Sequence, residues 1–125
     1  VAEFLDGHDQ VESINYSGLP SSPWHERAKE LGGGKGYGSV LAFEIKGGHE
    51  AGKKFVEGLS LHSHVANIGD ARSLVIHPGS TTHSQLNAEE QAASAVTAGL
   101  VRLSVGLESI DDILADLEAG FAAAQ

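Results

Sequence analysis

The sequence predicts one α/β domain: helices packed as an α+β sandwich on a mixed, mostly antiparallel sheet. Three observations carry that expectation. Helical and extended patterns interleave along all 125 residues. The links between neighbouring strand patterns are too short for the crossovers of a wholly parallel sheet. A hydrophobic content of 41% in a chain of this length supports one core and leaves no room for a second domain.

Residues 1–7 read as the end of a helix, with Gly7 as its stop. Val11 to Tyr16 alternates as a short strand. After a Ser-, Gly- and Pro-rich loop, Ser22-Pro23 reads as an N-cap with Pro in the first turn of a helix to about Leu31. Leu31 to Gly38 (LGGGKGYG) is a glycine-rich connection. Ser39 to Ile45 is rich in β-formers, and Gly47-Gly48 turns the chain into a helix over His49 to Leu59. Two extended segments, Ser63 to Ala66 and Arg72 to His77, flank the turn residues Asn67, Gly69 and Asp70. Asn87 with Glu90 three residues on has the form of a capping box and opens a helix over Ala88 to Ala95. Leu100 to Val105 is a strand. Ser109 with Asp112 again resembles a capping box, and the helix it opens places Ile110, Ile113, Leu114, Leu117 and Phe121 on one face.

Composition excludes several functions. A net charge of −9 argues against a nucleic-acid partner, which requires clustered Lys and Arg. The absence of cysteine excludes disulfides, thiolate metal sites and a Cys nucleophile, and fits a cytoplasmic protein. No apolar run approaches a membrane span, and no signal-peptide pattern opens the chain. There is no Met even at position 1, and the chain opens inside an apolar-periodic stretch, Val1, Phe4 and Leu5, without an N-cap. Both features lead us to expect a piece of a longer polypeptide.

Few residues suggest chemistry by themselves. LGGGKGYG lacks the G-x-x-x-x-G-K-[ST] spacing and leads into a strand rather than a helix, so it reads as a turn and not a phosphate cradle. His62 and His64 would share a face of a strand, the geometry of a metal pair, but no third ligand stands at a recognised spacing. His25 and His49 read as solvated helix residues; His77 and His83 flank a loop of hydroxyl residues whose backbone they could orient. A Ser-His-acid triad there would lack the G-x-S-x-G elbow. Arg102 is the most informative residue, because it interrupts the apolar strand LVRLSV. It is either an exposed strand residue or a guanidinium fork set to face a carboxylate.

Two stretches, NIGDARSLVIHPGSTTHSQL (Asn67 to Leu86) and GLVRLSVGLESIDDILADLE (Gly99 to Glu118), resemble the C-terminal signature of the Cys/Met-metabolism pyridoxal-phosphate enzymes. YSGLPSSPWHERAKE (Tyr16 to Glu30) and FEIKGGHEAGKKFVEGLSLHSHVANIGDARS (Phe43 to Ser73) are most similar to the O-acetylhomoserine sulfhydrylase branch. The resemblance covers essentially the whole chain. It implies that residues 1–125 are the small C-terminal domain of a fold-type-I pyridoxal-phosphate transferase, the cofactor being held by a large domain absent here. Lys29, Lys35, Lys46, Lys53 and Lys54 match no cofactor lysine of the family.

The resemblance assigns substrate-binding roles to three residues. Arg102 matches the arginine that holds the substrate's α-carboxylate. Ser73 matches a serine near that carboxylate, and Thr82 lies in the TTH loop as a more distant candidate. It implies that the parent enzyme is cytoplasmic and homo-oligomeric, a tetramer. The parent would exchange the acetate of O-acetyl-L-homoserine for sulfide or a thiol, with pyridoxal phosphate as cofactor, and this chain alone would be inactive. A methionine γ-lyase, a cystathionine γ-synthase, and a non-catalytic binding or assembly domain are the alternatives. Departures from the family pattern are Ser17 for Pro, Gly79 for Ala, and Ala95 and Ala98 where Gly and Pro are expected. The last two predict a less fixed Val96 to Gly99 segment ahead of the Arg102 strand.

Overall fold

Five strands form one sheet in the order β1-β2-β5-β4-β3 in a computed structural model that describes residues 1–125. The strands are β1 (Val11–Asn15), β2 (Val40–Ile45), β3 (Ser63–His64), β4 (Leu74–Ile76) and β5 (Leu100–Ser104). The β1/β2, β2/β5 and β5/β4 pairs are antiparallel, and only β3/β4 is parallel. The sheet is therefore mixed and mostly antiparallel. Helices α1 (Ala2–Asp6), α2 (His25–Gly32), α3 (Gly48–Glu57), α4 (Ala88–Ala93) and α5 (Ile110–Ala124) are interspersed with the strands along the chain. No helix is long and apolar enough to cross a membrane.

One face of the sheet carries the core. Alternation in β2 and β5 turns Leu41, Phe43, Ile45, Val101 and Leu103 towards Phe55 and Val56 of α3 and Ile113, Leu117 and Phe121 of α5. Phe43 meets Phe55 edge-on with ring centroids 5.5 Å apart, and Phe55 lies 4.7 Å from Phe121. The helices come this close because position 120 is glycine: a Cβ there would stand 2.9 Å from the Phe55 ring.

Three local expectations are corrected. The second helix begins at His25 rather than at Ser22-Pro23; Ser22 Oγ accepts the Trp24 N–H at 3.2 Å in a turn ahead of it. Ser109 precedes α5 without a side-chain cap, and only its carbonyl engages, accepting the Ile113 N–H at 3.0 Å. Ile110 is 51% exposed, while Asp116 is buried on the helix face read as purely apolar. The expected capping box of Asn87 and Glu90 is complete, each side chain accepting the other's backbone N–H at 2.9 Å.

Asp116 is buried because it has partners. It accepts the Ser60 N–H at 2.7 Å, the His62 N–H at 3.0 Å and the His62 ring Nδ1–H at 2.7 Å. Burial pushes its carboxyl up, but the His62 ring and the backbone donors outweigh this and hold it below its ordinary value of 3.8. Replacing Asp116 with Ala leaves those donors unpaired, so it should cost about 3–5 kcal/mol in urea unfolding. Because the folded pKa is depressed, the carboxylate's contribution is complete above pH 3.8 and is lost as pH falls through the folded value. The acid-induced loss of stability in that window should shrink in Asp116→Ala; an unchanged acid profile would contradict the assignment.

Ala95 has φ of 59°, the only non-glycine residue in the left-handed region. It occupies a position where the sequence resemblance led us to expect Gly. Left-handed backbone costs an L-residue about 1–2 kcal/mol, part of which glycine's greater freedom in the unfolded chain cancels. Ala95→Gly should therefore stabilise the chain by about 0.5–1 kcal/mol, read as a higher Tm. A lower Tm would show that the turn is not strained.

Candidate functional site

Strand β5 builds the site through its alternation. Val101 and Leu103 face the core and are fully buried, so Leu100, Arg102 and Ser104 face the other side of the sheet. There Arg102 stands in register with Ala42 of β2 and Ile76 of β4. The 65–70 loop, joining β3 to β4, crosses this face. Arg102 Nη2 donates to the Ala66 carbonyl at 2.5 Å and to the Asn67 carbonyl at 3.5 Å. Beside it, the Gly69 N–H donates to Ser104 Oγ at 3.4 Å.

Arg102 Nε is buried and has no acceptor. The ion pairs of the chain involve Arg27, Arg72 and three histidines, and none involves Arg102. A half-buried guanidinium held through Nη2 by neutral carbonyls, with its buried Nε unpaired, has donors left with which to take an anion. Of the two sequence readings, this geometry favours the fork over the exposed strand residue.

Ser73 lies just before β4 and is completely buried. Its hydroxyl donates to Glu108 Oε1 at 3.0 Å and accepts the Gly106 N–H at 2.9 Å, so both of its roles are filled within the chain. Its N–H donates to both Glu108 oxygens, at 3.1 and 2.8 Å. Burial raises the Glu108 carboxyl, but the Ser73 and Glu108 N–H groups, the Ser73 hydroxyl and His62 together hold it below its ordinary value of 4.5. The Ser73 carbonyl accepts the Ser63 N–H at 2.9 Å, and the Leu107 N–H reaches Ala71 C=O at 2.9 Å. These bonds fix both ends of the loop that supplies the Arg102 acceptors.

Thr82 is exposed, with Oγ1 2.9 Å from His83 Nδ1. Its loop is gathered by the Gln91 amide, which donates to the His83 and Leu86 carbonyls at 2.8 and 3.2 Å. No hydrogen bond joins Thr82 to Arg102 or Ser73. Ile76 of β4 shares the Arg102 face, so Ser73, three residues earlier and just ahead of that strand, turns to the core side, and Thr82 lies beyond the end of β4. Sequence reading missed Ala66 and Asn67, because they act through main-chain carbonyls that any residue type provides.

The other candidates are resolved by their contacts. His62 precedes β3 and is buried against Asp116, whereas His64 is exposed, so the two rings do not face one another. No group of three or more His, Cys, Asp or Glu gathers at metal-binding distance. Ser80 Oγ lies 2.8 Å from His77 Nδ1, but the other ring nitrogen meets the Ala98 carbonyl at 2.8 Å and not a carboxylate. That pair does not make a triad. His25 is not freely solvated: its Nδ1 lies 2.8 Å from the Ser17 carbonyl and its ring stacks on Tyr37.

The profile of the Cys/Met metabolism PLP-dependent enzymes matches residues 1–122. An O-acetyl-L-homoserine sulfhydrylase of Corynebacterium glutamicum is 57% identical over 123 residues, 98% of this chain and 28% of its own length. An L-methionine gamma-lyase of Porphyromonas gingivalis is 51% identical over 120 residues, 96% of this chain and 30% of its own. The crystal structure of cystathionine gamma synthase from Xanthomonas oryzae pv. oryzae, in complex with cystathionine, superposes with a TM-score of 0.86 at 41% identity. It covers 98% of this chain and 31% of that one. The chain thus spans under a third of the length of these relatives. The match across nearly the whole chain shows that it belongs to the Cys/Met metabolism PLP-dependent enzyme family.

Proposed function

We propose that the full-length protein is an O-acetyl-L-homoserine sulfhydrylase of methionine biosynthesis. It breaks the bond to acetate and joins the same carbon to sulfide or a thiol, giving homocysteine or a thioether amino acid. The single observation carrying this chain's part is the Arg102 guanidinium, paired with carbonyls and lacking a countercharge. The 57% identity to the Corynebacterium sulfhydrylase supports the choice of branch. The acidic, cysteine-free composition supports a cytoplasmic protein, and we extend the family resemblance to a homo-oligomer.

Pyridoxal phosphate, the family's cofactor, supplies an electron sink for such replacements when bound. The residues present here do not fit the cofactor itself. All five lysines are exposed, and Lys46 Nζ is engaged by the Asp9 carbonyl at 2.6 Å. This chain's contribution is to seat the substrate. The 65–70 loop fixes the guanidinium before substrate arrives, so little orientation entropy remains to be lost on binding. Ser73 takes part by holding that loop through Glu108, and Thr82 offers an exposed hydroxyl at the rim.

The 51% identity to the Porphyromonas enzyme supports a γ-lyase as the second reading. Supplying the full-length enzyme with O-acetylhomoserine plus sulfide, or with methionine alone, separates the two by product. For Arg102, Lys keeps the charge but loses the planar fork. Loss of a hydrogen bond to a charged group, about 1.5–3 kcal/mol, should lower kcat/KM about 10- to 150-fold in Arg102→Lys. Arg102→Ala should cost more, while the cofactor's absorbance spectrum is retained in both variants. A kcat/KM within about threefold of wild type in Arg102→Ala, less than one ordinary hydrogen bond, would show that Arg102 does not anchor substrate.

A further inference from the structure

We propose that His77 is a positioning residue for Arg102: it holds the Ala98 carbonyl and so fixes the segment from which the arginine strand starts. The inference rests on Arg102 being the carboxylate anchor. His77 follows β4 and is fully buried. Its Nε2 lies 2.8 Å from the Ala98 carbonyl, which can only accept, so Nε2 carries the proton. Nδ1 is then the acceptor for the Ser80 hydroxyl at 2.8 Å. Burial is the main cause that holds the ring's pKa below 6.5; His49 and His64 add to it, while the Ala98 bond and Glu44 oppose it. The ring is therefore a neutral donor with one fixed tautomer.

Its orientation is enforced from outside. Position 52 on α3 is glycine, and a Cβ there would stand 2.7 Å from His77 Nε2. The His49 ring lies edge-on, with centroids 5.0 Å apart. Together with Ser80 on Nδ1, these neighbours seat the ring on Ala98.

The residues on either side of Ala98 are held by a different strand. Glu44 of β2 accepts the Thr97 hydroxyl and, at 2.8 Å, the Gly99 N–H. Thr97, Ala98 and Gly99 are thus each tied by a side chain, two by Glu44 and one by His77. These contacts fall on the segment that the sequence led us to expect to be less fixed. Ala98 lacks the fixed φ of the Pro expected there, and the His77 bond supplies the constraint instead. Arg102 follows three residues after Gly99 on a strand paired on both edges. Its own acceptors, Ala66 and Asn67, belong to a separate loop. A shift of the 97–99 segment therefore moves the guanidinium relative to its loop, and misplacements of about 1 Å have large kinetic effects.

The test is steady-state kinetics of the full-length enzyme with O-acetylhomoserine. His77→Leu should raise KM about tenfold, the scale of one lost hydrogen bond, with a smaller change in kcat. His77→Gln, whose amide reaches the place of Nε2, should restore KM to within about threefold. Combined with Arg102→Ala, His77→Leu should raise KM no further, because its effect passes through the arginine. An equal rise in that background would overturn the proposal. So would a wild-type KM in His77→Leu while Arg102→Ala is impaired, which leaves the carboxylate reading standing. A wild-type KM in Arg102→Ala would instead remove that reading and this proposal together. If His77→Leu does not fold, His77→Asn takes its place, because its amide fills the position of Nδ1 and leaves the Ala98 carbonyl without a donor. It should raise KM when Arg102 is intact and add nothing when combined with Arg102→Ala; an equal rise in both backgrounds would overturn the proposal.

Discussion

A guanidinium set into an apolar strand must find acceptors, and Arg102 finds them on a neighbouring loop rather than on a carboxylate. That choice governs the surrounding architecture. A carboxylate partner from the chain would have satisfied the charge and closed the site to an incoming anion. Backbone carbonyls take up one nitrogen of the fork, Nη2, and leave the charge uncompensated, with Nε still unpaired. The sheet, its helices and the 65–70 loop form the apparatus that keeps this arrangement in place.

The apparatus acts at several points. The core of α3 and α5 fixes the far face of β5 through Val101 and Leu103. The contacts of Asp116 tie α5 to the chain leading into β3. Glu108 and Ser73 hold the β4 end of the loop that supplies the carbonyls. Glu44 and His77 hold the start of β5 itself. Carboxylates thus serve repeatedly as acceptors for clustered N–H groups, a role in which a charged oxygen is worth more than a neutral one.

Much of this frame was legible in the sequence. The five strands and the helices between them follow from alternation, glycine turns and the Asn87 capping box, all local signals. The motif around Arg102 was legible because a charge among β-formers is conspicuous. What stayed hidden depends on partners distant in sequence. Asp116 looks like the wet edge of an apolar helix until His62, 54 residues away, is brought beneath it. Ser73 looks like a free hydroxyl until Glu108, 35 residues on, takes it up. Ser22 and Ser109 have capping residues' chemistry, yet neither makes the expected cap, because backbone geometry decides whether a hydroxyl reaches the helix N–H groups. Ala66 and Asn67 offer the arginine only carbonyls, which leave no mark on residue choice.

Everything in this arrangement turns on what Arg102 binds. The direct measurement is a crystal structure of the full-length enzyme with an unreactive amino-acid substrate analogue. The analogue's α-carboxylate should lie on the Arg102 guanidinium at charge-assisted hydrogen-bond distance, about 2.7–2.9 Å, with Nε among the donors. A carboxylate seated elsewhere, with Arg102 still bonded only to Ala66 and Asn67, would contradict that role.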